Sequence, residues 1–195
     1  VDVSAFHADV SKDRLYTLAP GSLERRSAQT ACYLVADALA RLLAPILSMT
    51  SDEVWRYLPG PREESVHLAA FPNLNEWIDE ELEARWQQLL DVRSAVNQAL
   101  EGARQRKEIG SALAAKIVLR ASGDTYELLA AVRDDLPMLF ITSDVALERS
   151  DGDLTVEVRR ADGEKCPRCW RVVPALVERG ICDRCAAVMK DSDAA

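Results

Sequence analysis

The run Ser22–Leu47, SLERRSAQTACYLVADALARLLAPIL, decides the fold class. Its apolar side chains recur at Ala28, Cys32, Val35, Leu39, Leu42 and Ile46, in steps of four and three. That spacing lays one continuous stripe along a helix. Ser22 stands ahead of the run as an N-cap, with Arg25 three residues later where a capping box would carry Glu or Gln. Pro45 predicts a kink or stop near the carboxyl end. A short helix follows, with Ser51 as its expected cap, Asp52 and Glu53 favoured by the helix dipole, and Val54, Trp55 and Leu58 inward. Pro59, Gly60, Pro61 and Pro72 make residues 59–75 a loop. From about Asp79 a third, long helix carries Leu82, Trp86, Leu89, Val92, Val96, Ala99 and Ala103 on one face. Stripes this long must be buried, which predicts an antiparallel helical bundle over residues 1–109.

Near Gly110 the period changes from that of a helix to that of strands. Lys116–Arg120 and Met138–Thr142 read as strands, as do the residues around Val145 and Leu147. Leu154–Arg159 alternates apolar and polar side chains, and Tyr126–Val132 reads as a helix. Ser150, Asp151, Gly152 and Asp153 supply a turn. The expected unit over 110–163 is a small α+β subdomain, near the lower limit for folding alone. The fold class is therefore mainly α: a helical bundle, a small α+β subdomain and a cysteine-bearing tail over 164–195.

The chain has 195 residues, 48% of them apolar and 29% charged, an ordinary balance for a globular protein. No apolar run is long enough to span a membrane and no secretory leader opens the chain. Val1 in place of Met suggests a piece of a longer polypeptide. A net charge of −8 argues against non-specific nucleic-acid binding. Arg104, Arg106, Lys107, Lys116 and Arg120 nevertheless cluster between two acidic blocks, and screening lets such a patch act locally. The plainer alternative for them is a solvated helix end.

Four of the five cysteines form two pairs, Cys166-Pro-Arg-Cys169 and Cys182-Asp-Arg-Cys185, twelve residues apart. Two such knuckles place four thiolates around one Zn²⁺. With all four positions filled by protein, the ion is structural, with no opening for a catalytic water. Disulfides are disfavoured without an export signal. A thioredoxin-like role lacks its βαβ setting, and an iron site ranks below zinc because the second knuckle lacks glycine. The tail is too small for a core of its own, so metal binding supplies its folding energy. Cys32 reads as a buried small hydrophobe, and His7 and His67 have no partners at ligand spacing. Lys165, Arg168, Arg171, Arg179 and Arg184 surround the knuckles, and Trp170 follows the first. These suit phosphate contact with a stacked base, or else Trp170 covers the metal site.

Lys12–Tyr16 (KDRLY), Arg25–Ala31 (RRSAQTA), Ala44–Ser48 (APILS), Asp52–Trp55 (DEVW), Ile109–Leu113 (IGSAL) and Cys166–Trp170 (CPRCW) occur in this order. In order and spacing they resemble the carboxyl-terminal part of bacterial isoleucyl-tRNA synthetases, class I aminoacyl-tRNA ligases, over nearly the whole chain. The resemblance implies an anticodon-binding helical bundle, a small mixed subdomain and a zinc-binding tail. The family's ATP-handling signatures are absent from this sequence, so ATP and Mg²⁺ belong to a catalytic domain outside it, and no catalytic residue is nominated. The loop between the knuckles is short for the family.

The expected function is tRNA recognition, orienting tRNA(Ile) so that its acceptor end reaches a distant active site. The expected metal ligands are Cys166, Cys169, Cys182 and Cys185. The expected RNA contacts are Lys12, Arg14, Arg25, Arg26, Arg104, Arg106, Lys107, Arg168, Trp170 and Arg171. Pairing of Lys12 and Arg14 with Asp9 or Asp13 on a helix surface is the alternative for those two. The expected partners are tRNA(Ile) and the remainder of the synthetase chain, in the cytoplasm, as a monomer and away from membranes. A rival expectation is a stand-alone zinc-ribbon adaptor that binds protein through the acidic bundle. A ligase for valine or leucine is a lesser one, against which the tetracysteine tail argues.

Overall fold

A computed structural model describes residues Asp2–Asp193. They form two compact units, residues 20–79 and residues 2–19 with 80–193. Seven α-helices and five short strands occur among the described residues. No helix is long and apolar enough to cross a membrane.

In the unit Pro20–Asp79, α2 (Leu23–Leu43) begins as expected: the Ser22 hydroxyl accepts from the Arg25 amide at 3.2 Å. The helix ends just before Pro45, in a turn where the Leu47 amide donates to the Leu43 carbonyl at 2.7 Å. Helix α3 spans Ser48–Tyr57, one turn earlier than expected. The Ser51 amide donates to the Leu47 carbonyl at 2.8 Å, a helical bond, so Ser51 lies inside the helix and is buried rather than capping it.

The core of this unit is Ala40, Ala44, Trp55 and Val66. Two alanines four residues apart leave room for the Trp55 indole. Its Nε1–H donates to the Glu63 carbonyl at 2.9 Å, and the Arg62 guanidinium lies 4.6 Å over the ring. The expected α2 stripe is thus displaced by one residue at its carboxyl end. Leu39, Leu42 and Ile46 are exposed, and Cys32 is half-buried rather than buried.

The other unit is organised by β1 (Ala115–Ala121), parallel to β2 (Asp144–Arg149) and antiparallel to β3 (Thr155–Arg160). As the central strand, β1 buries Ile117, Val118 and Leu119 in succession. Helix α4 (Glu80–Gln105) buries Leu89, Val92, Val96, Leu100 and Ala103 in the same core. Its first turns leave Leu82 and Trp86 partly exposed, although Trp86 meets Phe6 edge to face at 5.9 Å. Phe6 belongs to a π-helical stretch, Asp2–His7, that leads into α1 (Ala8–Thr17).

Between β1 and β2 lie α5 (Gly123–Ala130) and α6 (Leu136–Leu139). Met138–Thr142, expected as a strand, is the end of α6 and the turn that closes it. The Phe140 amide donates to the Leu136 carbonyl at 3.0 Å, Ile141 to Met138 at 3.1 Å and Thr142 to Pro137 at 2.9 Å. Those last two bonds form a Schellman closure. A short apolar run has no period that separates buried strand from buried helix, and Pro137 suits a helix start.

Candidate metal centre and nucleic-acid interface

The first knuckle sits on a two-stranded ribbon, β4 (Glu164–Lys165) against β5 (Val172–Val173). Gly163 starts it at φ +117°, and a Cβ there would lie 2.0 Å from the Val173 carbonyl oxygen, so only glycine fits. The Trp170 amide donates to the Cys166 carbonyl, and the Cys166 amide to the Arg171 carbonyl, both at 2.9 Å. These bonds turn Cys166 and Cys169 to one side. The second knuckle is placed by α7 (Asp183–Asp193), with Cys182 just before it and Cys185 in its first turn.

All four cysteines are buried, and their sulfurs lie within 4.8 Å of one another. Cys169 and Cys182 Sγ are 3.7 Å apart, well beyond a disulfide bond, and the four are free thiols. Ile181 completes this small core, with Val173, Leu176 and Met189 around it. The Cys182 amide donates to Cys166 Sγ at 3.4 Å. Burial acts to raise the Cys166 thiol, but the amides of Cys169, Cys182 and Arg168 outweigh it and lower the thiol to about 6. Burial pushes Cys185 up to about 12 and raises Cys182 as well. A pocket of four soft donors, with Cys166 readily ionised and Cys182 and Cys185 awaiting a counter-charge, could hold a metal ion.

The tail is fastened to α1 by charge. Arg184 grips Asp13 in bidentate fashion, at 2.6 and 2.7 Å, and Arg171 approaches the same carboxylate at 3.5 Å. Burial acts to raise the Asp13 carboxyl, yet the Arg184 hydrogen bonds and the nearby guanidinium charges hold it below its usual value. Arg168 donates to the Thr17 carbonyl at 2.6 Å and lies 3.5 Å from Cys185 Sγ. Arg168 and Arg171, nominated as RNA contacts, thus face α1 and the cysteine centre.

The remaining nominees divide between paired and open side chains. Lys12 pairs with Asp9 at 2.7 Å, Arg14 with Asp135 at 2.8 Å and Arg104 with Glu101 at 3.2 Å. Arg106 pairs with Glu108 through two bonds, at 2.7 and 2.9 Å. Arg25 is half-buried at the start of α2, and Arg26 beside it is exposed. Lys107 is exposed at φ +61°, in the Schellman closure of α4. Trp170 is 60% exposed, so it does not cover the cysteine centre, and Lys165 Nζ lies 5.7 Å from its ring.

A groove of about 420 Å³ runs between α1, the turn after α6 and the first knuckle. Tyr16, Pro137, Met138, Ile141 and Trp170 give it an apolar lining. Ile141 and Trp170 hold φ of +56° and +66°. The left-handed region costs a residue with a Cβ about 1–2 kcal/mol, and glycine would adopt it freely. Sequence reasoning missed Tyr16 as a site residue and Asp13 as the anchor of the tail. Both stand in the quoted Lys12–Tyr16 motif, but neither carries a ligand or charge-cluster signal.

Residues 1–119 match the family model described as the anticodon-binding domain of tRNA ligase. The chain belongs to this family. An isoleucine–tRNA ligase of Natranaerobius thermophilus is 41% identical over 211 residues, covering 99% of this chain and 23% of the relative. One of Syntrophotalea carbinolica is 45% identical, covering 98% and 22%, and one of Symbiobacterium thermophilum is 46% identical, covering 97% and 22%. The likeness therefore runs past the anticodon-binding domain, through the sheet and both cysteine pairs. The chain spans under a quarter of the length of these relatives. A stand-alone zinc-ribbon adaptor is not what these matches describe.

Proposed function

We propose that this anticodon-binding domain chain is the carboxyl-terminal, tRNA-recognition portion of an isoleucine–tRNA ligase. It would position tRNA(Ile) for ATP-dependent aminoacylation by a catalytic domain outside the chain, where ATP and Mg²⁺ act. The observation that carries this is the family match over residues 1–119, joined to relatives named isoleucine–tRNA ligase across nearly the whole chain. Residues 1–109 form the helical bundle in this proposal. Residues 110–163 are the α+β subdomain and 164–195 the metal tail. The protein works in the cytoplasm as a monomer.

Zinc is the proposed ion for the cysteine centre, held by Cys166, Cys169, Cys182 and Cys185. Four thiolates about 2.3 Å from a tetrahedral ion stand about 3.8 Å apart. The 3.7 Å between Cys169 and Cys182, with all four sulfurs within 4.8 Å, supports that arrangement. Zinc there fixes the chain by cross-linking it and leaves no position for water. For the RNA, Arg26, Lys107 and Trp170 are open for contact, while Lys12, Arg14, Arg25, Arg104 and Arg106 would exchange or share present partners. Arg168 and Arg171 serve the interface by holding the knuckle in place.

Filter binding of the chain to a tRNA with an isoleucine anticodon, beside a non-cognate tRNA, tests the function. The cognate tRNA should bind more tightly, and log affinity should fall linearly with log salt concentration. Equal binding of both, or affinity indifferent to salt, rejects the proposal.

A further inference from the structure

Both knuckles carry an arginine immediately before their second cysteine, Arg168 in Cys166-Pro-Arg-Cys169 and Arg184 in Cys182-Asp-Arg-Cys185. In the folded tail each of these side chains crosses to the other knuckle. Arg168 Nη1 donates to Cys185 Sγ at 3.5 Å, and Arg184 hydrogen-bonds Cys169. The other two sulfurs are served by backbone amides. That of Cys182 donates to Cys166 Sγ at 3.4 Å, and that of Cys185 to the Cys182 sulfur. Every sulfur of the centre therefore has a donor, and for Cys169 and Cys185 that donor is a cation.

Four thiolates carry two more negative charges than a divalent ion supplies. All four cysteines are buried, so water does not disperse that excess, and a buried charge left uncompensated is costly. Two guanidiniums match the excess in number and lie against the sulfurs. Helix α1 holds both of them. The Thr17 carbonyl, among the last four of α1 and so without a partner inside the helix, accepts from the same Arg168 Nη1 at 2.6 Å. Asp13, four residues earlier, accepts from Arg184 at 2.6 and 2.7 Å. A tether to α1 needs no contact with sulfur, yet one nitrogen of Arg168 serves the helix end and the cysteine centre together.

We propose that Arg168 and Arg184 are the charge partners of the metal-loaded centre, each neutralising one thiolate of the opposite knuckle, with Thr17 and Asp13 of α1 orienting them. This rests on the zinc-filled centre proposed above. Hydrogen bonds and cations around ligating sulfurs tune both the affinity of such a site and the potential of a redox metal placed in it. The exchange of arginines also explains why the knuckles hold together as a pair, since each supplies the charge that the other lacks.

The test uses the whole 195-residue chain and the variants Arg168→Met, Arg184→Met, Arg168→Lys, Arg184→Lys and Asp13→Asn. Methionine keeps the apolar stem and removes the charge; lysine keeps the charge, and circular dichroism checks that each variant folds. In competition with a chromogenic chelator, each methionine variant should bind zinc about 10–100-fold more weakly, the usual cost of losing a partner of a metal ligand. Each lysine variant should bind zinc more tightly than its methionine counterpart. The chain loaded with iron in place of zinc reads the charge itself. Removing a cation beside the sulfurs favours the ferric state, so the ferric/ferrous midpoint potential should fall in both methionine variants. It should rise in Asp13→Asn, where an anion is lost, although Asp13→Asn and Arg184→Met disrupt the same ion pair. Unchanged zinc affinity in both methionine variants, or a midpoint that moves the same way in Arg184→Met and Asp13→Asn, overturns the assignment and leaves the metal centre standing. An unsubstituted chain that takes up no zinc removes both.

Discussion

The cysteine tail and the unit Pro20–Asp79 are both too small to bury a large core, and they solve the problem in opposite ways. In the unit, Trp55 supplies the apolar bulk, and short-range polar ties close around it. Asp52 accepts from the Ser65 hydroxyl at 2.6 Å and the Val66 amide at 3.2 Å, and Arg41 pairs with Asp37. The Ser65 hydrogen bond is the main reason the Asp52 carboxyl lies below its usual value. The tail instead gathers four sulfurs and one isoleucine, then reaches far back along the chain to Asp13 and Thr17. One region is held by a ring and its neighbours in sequence. The other rests on four clustered cysteines and on α1.

The largest expected effect separates the two directly. If zinc fills the cysteine centre as proposed, chelation, or Cys182→Ser, should remove it, expose the remaining thiols to alkylation and abolish hydrogen-exchange protection in the tail. Zinc binding is worth roughly 10–16 kcal/mol in small zinc-dependent folds. Protection in residues 20–79 should be unchanged; a parallel loss there would show one cooperative structure instead of two supports. Trp55→Ala is the converse probe. It should destabilise the helical unit by about 3–5 kcal/mol in a denaturant titration, with full zinc content retained.

Asp13→Ala cuts the tail from α1 without touching a sulfur. It should cost about 2 kcal/mol, since hydrogen bonds to charged groups are lost and Arg184 is left half-buried. The Asp13 carboxyl is depressed in the folded state, so its contribution is complete above about pH 4, the usual carboxylate value, and declines as pH falls through its lower folded value. The gap in melting temperature between the wild type and Asp13→Ala should therefore be full at pH 7 and shrink as pH is lowered below about 4. The smallest effect belongs to Arg106→Ala, whose exposed pair with Glu108 is readily replaced by water. Its melting temperature should not move. Its salt slope for tRNA should fall by about one if Arg106 reaches a phosphate, and stay put if it is only a helix end.

Much of the fold was legible because its signals are local. The Ser22 cap, the stop before Pro45, the Leu89–Val92–Val96–Ala103 face and the alternation around Val156 and Val158 are set by periods of 3.6 and 2. The misreadings fell where a period cannot decide. Met138–Thr142 is too short and uniformly apolar to tell helix from strand. The α2 face packed on Trp55 is a pair of alanines beside the leucines that the pattern favoured. The clustering of the four cysteines was legible for the same local reason, because each knuckle brings its own two sulfurs together.

From sequence alone come the mainly helical class, the four sulfur donors and the family resemblance, since each is written in spacings of a few residues. Only the folded chain decides which cations stay open to a partner. Arg168 meets Thr17 across a separation of 151 residues, Arg184 meets Asp13 across 171, and Arg14 meets Asp135 across 121. No local pattern encodes such pairs. They exist because folding brings α1 beside both the tail and the turn before α6, and the same approach draws Tyr16 and Trp170 to a single groove.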